Sequence, residues 1–205
     1  MINKSEISII GGSGHVGFPL GLVFSSSGFK VKLIDKNQKN NNLINSGVNP
    51  YLEEGSKKLL AKMLKLKRIF ATKQLEHIKT SKFIIICLGT PIDNKLKPKI
   101  KDFLNFFHLL KKYINRDQII IIRSSVYPGI SEKVYKIIKN KNENLSYCPE
   151  RIVQGKSLIE LPKISQLIAG KNNKAINESA NLFKKICKKI IKVSIIEAEL
   201  VKLFS

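Results

Sequence analysis

The chain has 205 residues, 43% of them hydrophobic, enough for one large domain with a complete core. Its formal net charge is +22, yet only four of the 37 basic residues are arginine (Arg68, Arg116, Arg123, Arg151). Readers of nucleic acid favour arginine's bidentate fork, so a charge built from lysine, in a chain also rich in Ile and Asn, reads as solvated lysine faces with no nucleic-acid partner.

In chain order, Ile7–Ile10 predicts a strand running into Gly12-Ser13-Gly14-His15-Val16-Gly17, with a helix over 16–27 behind it. Val31–Ile34 predicts the next strand, which ends in Asp35, 18 residues after Gly17. Asn40-Asn41-Asn42 reads as a polar loop, and 54–67 as an outer helix whose lysines face water. Ile69–Ala71 and Phe83–Leu88 are strands, followed by a helix over 101–113. Ile119–Arg123 is a strand, 131–139 a helix, Asn140–Asn144 a polar loop and Leu145–Cys148 a strand. Gln166–Ala169 and Ile190–Val193 are strands flanking a helix over 173–189, and a further helix begins near Glu197. The strand runs are apolar on consecutive positions, which suits strands covered on both faces. Strands alternating with helices predict an α/β fold, a doubly wound, mostly parallel Rossmann-type sheet with helices on both faces. Residues 1–193 would form this domain and 194–205 the start of a central helix. No apolar run approaches the roughly 20 residues that cross a bilayer, and the N-terminus leads directly into the first strand, so a cytoplasmic chain without membrane contact is expected.

Glycines between a strand and a helix, with an acid at the end of the following strand, point to a dinucleotide grip. Gly12 would permit the tight turn, Gly14 the approach of backbone to a pyrophosphate, and Gly17 close packing of helix on strand. The N–H groups that open the helix would face the phosphates. Asp35 would accept hydrogen bonds from the adenosine ribose and repel a 2′-phosphate, which selects NAD over NADP.

Three more motifs fall at predicted strand ends: Cys87-Leu88-Gly89-Thr90-Pro91-Ile92-Asp93, Arg123-Ser124-Ser125-Val126-Tyr127-Pro128-Gly129 and Tyr147-Cys148-Pro149-Glu150-Arg151-Ile152-Val153-Gln154-Gly155. With the glycine loop and Ala198-Glu199-Leu200-Val201-Lys202, their order and spacing resemble the UDP-glucose/GDP-mannose dehydrogenase family along the whole chain. The resemblance implies oxidation of the C6 alcohol of a nucleotide sugar to a carboxylate with two NAD, in polysaccharide biosynthesis. It implies cofactor contacts from Gly12, Gly14, His15, Val16, Gly17, Asp35, Thr90, Pro91, Ser125 and Glu150. Ser125 stands where the family usually has threonine, keeping the hydroxyl that places cofactor and a catalytic water. Glu150 would handle protons and water beside the nicotinamide, work that demands a positioned, partly desolvated carboxylate. Lys202 would offset the developing alkoxide. Glu150, Arg151, Ile152, Val153 and Lys202 would meet the sugar nucleotide.

Two departures matter. The form Pro149-Glu150-Arg151 is similar to the branch that acts on UDP-N-acetylhexosamines, where the UDP-glucose branch carries Pro-Glu-Phe-Leu. The family's nucleophilic cysteine and nucleotide-binding domain would lie beyond residue 205, so the chain reads as a truncated cofactor half, inactive alone; a full-length version would dimerise through the central helix. Cys87, Cys148 and Cys187 form no CxxC pair and read as buried, reduced thiols that do not replace that nucleophile. The alternative is a non-catalytic NAD-binding or regulatory module. His77 and His108 read as surface or half-buried helix residues, and no metal-binding spacing is present.

Overall fold

The computed structural model of the chain describes residues 6–89 and 100–204. Eight strands form one sheet: β1 (Glu6–Ile10), β2 (Lys30–Ile34), β3 (Ile69–Thr72), β4 (Phe83–Ile86), β5 (Ile119–Ile122), β6 (Leu145–Tyr147), β7 (Ser165–Gly170) and β8 (Lys189–Lys192). Their spatial order is β3-β2-β1-β4-β5-β6-β7-β8. Every neighbouring pair is parallel except β6 and β7, which run antiparallel. The described α-helices are α1 (Gly17–Ser26), α2 (Gln38–Asn45), α3 (Ser56–Lys65), α4 (Ile100–Leu110), α5 (Ile130–Ile138), α6 (Ser157–Glu160), α7 (Asn173–Phe183) and α8 (Ile195–Leu203), with a 3-10 helix over Leu75–Thr80.

Successive residues of the central strands point to opposite faces, which is why their isoleucine runs do not alternate with polar residues. Ile85 joins Ile7, Ile9 and Leu33 under α1, α3 and α7, whereas Ile84 and Ile86 join Ile10, Ile120 and Ile122 under α4 and α5. Each fully buried isoleucine contributes about 1.5–3 kcal/mol, so two covered faces make the sheet the stable platform of the molecule. Strand order reverses between β1 and β4, and a crevice at the carboxyl ends of these two strands is where such sheets receive ligands.

All eight predicted strands are present, with bounds shifted by one or two residues. Asn40-Asn41-Asn42 is not a loop: it lies inside α2. Asn37 caps that helix by accepting the Asn40 N–H at 3.1 Å, and Asn41 and Ile44 are fully buried. Capping and burial outweigh the poor helix propensity of asparagine. The helix expected over 173–189 ends at Phe183; a buried turn with Ile186 and Cys187 then leads to β8. Thr90 and Pro91, singled out above, lie outside the described residues.

Candidate functional site

The loop from β1 to α1 is made by backbone constraints. Gly11, not Gly12, carries the left-handed turn, with φ of +74°. A methyl group on Gly12 would stand 2.6 Å from both the Ile9 carbonyl oxygen and the Leu33 Cα, so Gly12 permits close packing of the loop on β2. On Gly17 a methyl would stand 2.4 Å from the Gly11 oxygen and 2.7 Å from the Gly12 Cα, which fixes the start of α1 against the loop, not against a strand. Gly14 differs: among the described residues its methyl would meet only the Gly11 oxygen within 4 Å, at 3.2 Å. Its outer side is open to a ligand. No side chain among the described residues caps α1. The Phe18 N–H is taken by the Gly14 carbonyl at 3.0 Å and Pro19 has none to give, so an anion here would be met by the N–H groups just before them.

Asp35 turns toward this loop. Its Oδ2 accepts the Ser13 N–H at 3.2 Å and its Oδ1 the Asn37 N–H at 3.0 Å. Asn41 donates to the Asp35 carbonyl at 2.8 Å and accepts from the Ser13 hydroxyl, so α2 braces both the loop and the acid. Asn40 donates to the Ser13 carbonyl and to the Tyr51 hydroxyl, at 3.3 and 2.8 Å. His15 is exposed at the loop tip with its ring against that of Tyr51, centroids 3.6 Å apart, beside half-buried Val16. The open Gly14, the uncapped helix and a carboxylate at the end of β2 together fit a dinucleotide: phosphates on the loop and a ribose on Asp35.

On the far side of the switch point the construction changes to side chains. Arg123 extends the all-isoleucine β5, and its side chain is fully buried. Its Nε donates to Glu150 Oε2 at 2.8 Å and its Nη2 to the same oxygen, while Nη1 reaches the Cys148 carbonyl at 3.2 Å and Gln166 Oε1 at 2.9 Å. The guanidinium also lies over the Phe183 ring at 5.1 Å. Desolvation works against the charge on Arg123, but Glu150 and its other partners hold the guanidinium above its ordinary value. Glu150 is thereby fixed, with Oε1 accepting the Arg151 N–H at 2.8 Å. Arg151 directs its Nη2 to the Ser165 carbonyl at 2.6 Å; Ile152 is half-buried and Val153 exposed.

Ser125 is exposed in the loop from β5 to α5. That loop is tied to α8 by Glu199, 1% exposed, whose Oε2 accepts the Gly129 N–H at 2.8 Å and Oε1 the Ser131 N–H at 2.9 Å. A carboxylate there satisfies orphan donors and suits the positive end of α5. Lys202 follows one turn later on α8 and is half-buried. The structure therefore joins Gly12, Gly14, Gly17 and Asp35 in one place. It carries Ser125 and Lys202 on two segments anchored to each other, and sets Glu150 on Arg123.

Sequence reading missed Arg123 as the partner of Glu150, Asn41 as the brace of the loop, and Glu199 as the tie to α8. A lone arginine at the end of an apolar strand is the one usable signal, since a fully buried cation requires an acid. Glu53, 7% exposed, was missed as well; it accepts from Ser157 Oγ at 3.3 Å and the Leu158 N–H at 3.1 Å, docking the Glu150 loop onto the start of α3. All three thiols are raised, first by burial and against the opposing charge of Arg123: Cys87 to about 12, Cys187 to about 11, and Cys148 further still. Each stays protonated at neutral pH, so none is an activated nucleophile. No helix among the described residues is long and apolar enough to cross a membrane.

A mostly parallel sheet with a glycine loop at its switch point and an acid closing the second strand defines a Rossmann-type dinucleotide-binding domain. The chain belongs to the UDP-glucose/GDP-mannose dehydrogenase family: residues 5–189 match that family's NAD binding domain. A UDP-N-acetyl-D-mannosamine dehydrogenase of Pyrococcus horikoshii is 29% identical over 94% of this chain and 48% of its own length. One from Methanococcus vannielii is 30% identical over 97% of this chain and 46% of its own. The solved P. horikoshii structure superposes with a TM-score of 0.90 at 28% identity, covering 97% of this chain and 49% of that one. GDP-mannose dehydrogenase of Pseudomonas aeruginosa shares the fold, with a TM-score of 0.87 at 20% identity, covering 97% of this chain and 48% of that one. The chain spans about half the length of the curated relatives it matches.

Proposed function

We propose that this chain is the cofactor half of an NAD-dependent nucleotide-sugar 6-dehydrogenase that acts on a UDP-hexose, and specifically a UDP-N-acetylhexosamine. Arg151 and the names of the relatives support the acetamido class. In this reading residues 1–193 form the cofactor domain and 194–205 open the central helix through which a full-length protein dimerises. The nucleotide-sugar domain and its nucleophilic cysteine are not among these 205 residues. The protein works in the cytoplasm, in polysaccharide biosynthesis.

The observation that carries the reading is the direct bond between Asp35 and the glycine loop, Ser13 N–H to Oδ2 at 3.2 Å, which sets a carboxylate beside an open phosphate cradle. Residues 12–17 would hold the pyrophosphate, and Asp35 would accept from the adenosine ribose and repel a 2′-phosphate. The family resemblance assigns further cofactor contacts to Thr90 and Pro91, and His15 and Val16 belong to the glycine loop. NAD supplies the hydride acceptor. Ser125 holds cofactor and a water by its hydroxyl, and Glu150, oriented by Arg123, accepts the proton from that water or from the substrate. Lys202 offsets the negative charge that develops on the substrate oxygen. Arg151, Ile152 and Val153 border the sugar.

Titration with NADH and NADPH, followed by nicotinamide fluorescence, tests this. NADH binds, and NADPH binds at least about tenfold more weakly; equal affinity refutes the role of Asp35. Supplied with NAD and UDP-N-acetylmannosamine, the 205-residue chain gives no uronate, because the second oxidation, aldehyde to carboxylate, runs through a thiohemiacetal that needs an activated thiolate. Uronate formation contradicts the placement of the nucleophile elsewhere. The raised thiols also favour a second reading, a non-catalytic NAD-binding module. A downstream reading frame with a glycine-rich, cysteine-containing motif supports the enzyme, and a stop supports the module.

A further inference from the structure

A pocket lies at the edge of the sheet opposite the glycine loop. It has a volume of about 640 Å3 and is lined by Arg116, Lys139, Lys141 and Lys174, with Glu143 and the asparagines beside it. Topology explains the gathering. Arg116 precedes β5 and residues 139–144 precede β6, so both sit at the amino ends of parallel strands. The antiparallel course of β7 brings the start of α7, with Lys174, to the same edge.

The walls are built, not frayed. Asn142, 1% exposed, donates to the Asn115 and Gln118 carbonyls at 2.6 and 2.8 Å. Asn144, 6% exposed, donates to the Arg116 carbonyl at 2.8 Å and accepts from Asn172 at 3.3 Å. Asn172 in turn caps α7 by accepting the Ala175 N–H at 2.8 Å, so one asparagine network joins the three segments that carry the cations. Those cations lack acidic partners: among the described residues none of the four forms an ion pair. Glu132, which feels the charge of Lys139, is itself held by Lys171 at 2.6 Å.

Four cations against one carboxylate around a fixed concavity repel one another, and a multivalent anion relieves that repulsion. Three of the four are lysines, which act as point charges without the planar fork that reads a specific shape. We infer that this pocket is a binding site for the phosphate chain of a small polyphosphate, selected by charge and separate from the dinucleotide loop. The chemistry is shared by free polyphosphate and by a nucleoside triphosphate.

The test is titration of the whole chain with sodium tripolyphosphate at low chloride, followed through backbone amide shifts. Arg116, the stretch 139–144 and Lys174 should move together and saturate. Lys139→Gln with Lys141→Gln should weaken binding at least about tenfold, while Lys62→Gln with Lys65→Gln on exposed α3 changes it less than about twofold. Equal loss from both pairs would mean that the overall charge attracts the anion, and the site is refuted; still amides around the pocket refute it too. In a parallel ATP titration, equal affinity assigns the site to free polyphosphate and tighter binding to a nucleotide; either result upholds it.

Discussion

The two sides of the switch point hold their functional groups by opposite means. Around β1 and β2 the site is backbone: a left-handed Gly11, close-packed Gly12 and Gly17, an open Gly14, and an acid bonded to a main-chain N–H. Around β5, β6 and α8 it is side chains, a buried Arg123 holding Glu150 and a buried Glu199 tying two elements. The first kind fails by steric clash and the second by leaving charge unpaired, so substitutions on the two sides should have different signatures.

The largest effect is expected on the side-chain half. Arg123→Met leaves Glu150 without its partner and should cost about 3–5 kcal/mol in urea unfolding. A loss below about 1 kcal/mol would show that the pair does not organise this half. Next comes Glu199→Ala, which strands the Gly129 and Ser131 N–H groups and should cost about 2 kcal/mol while loosening α8, read as faster amide exchange there. On the backbone half, Gly12→Ala must displace main chain at 2.6 Å and should cost about 1–3 kcal/mol and abolish NAD binding. Gly14→Ala sharpens the comparison, since it should leave unfolding nearly unchanged and still weaken NAD, the methyl occupying ligand space. Asp35→Asn should lower NAD affinity about tenfold and narrow the gap to NADP, with little change in stability.

The smallest expected effect is on acid stability, where the halves should behave alike. Burial pushes Glu6 up, but Lys32 at 2.5 Å and Thr80 outweigh it and leave the carboxyl below 4.5. The Lys171 ammonium at 2.6 Å holds Glu132 below 4.5 as well. A depressed carboxyl stabilises the fold above its unfolded-state value, and the contribution disappears as pH falls through the lower folded-state value. Each pair is partly exposed and contributes at most about 1 kcal/mol. Urea midpoints should therefore fall below pH 4.5, and Glu132→Gln should remove part of that slope.

The same contrast explains what could be read from sequence. The glycine loop and Asp35 fall within 25 consecutive residues, and each constraint is local, so strand, turn, helix and acid were legible together. Strands were legible because burial on both faces demands unbroken apolar runs such as Ile119–Ile122. Which glycine does what was not, because it depends on the distance from Gly12 to Leu33 on a neighbouring strand. The helix over Asn40–Asn42 was hidden because its support comes from Ser13 and Asp35, not from its own composition. Arg123 and Glu150 are 27 residues apart, and Gly129 and Glu199 are 70 apart; pairs so distant follow from the sheet order alone.

Diffraction from crystals of the chain grown with NAD would test the central claim most directly. The pyrophosphate should rest on the backbone N–H groups between Gly12 and Gly17, with the adenosine ribose hydroxyls on the Asp35 carboxylate. NAD density at any other edge of the sheet, or a ribose turned away from Asp35, would contradict the account.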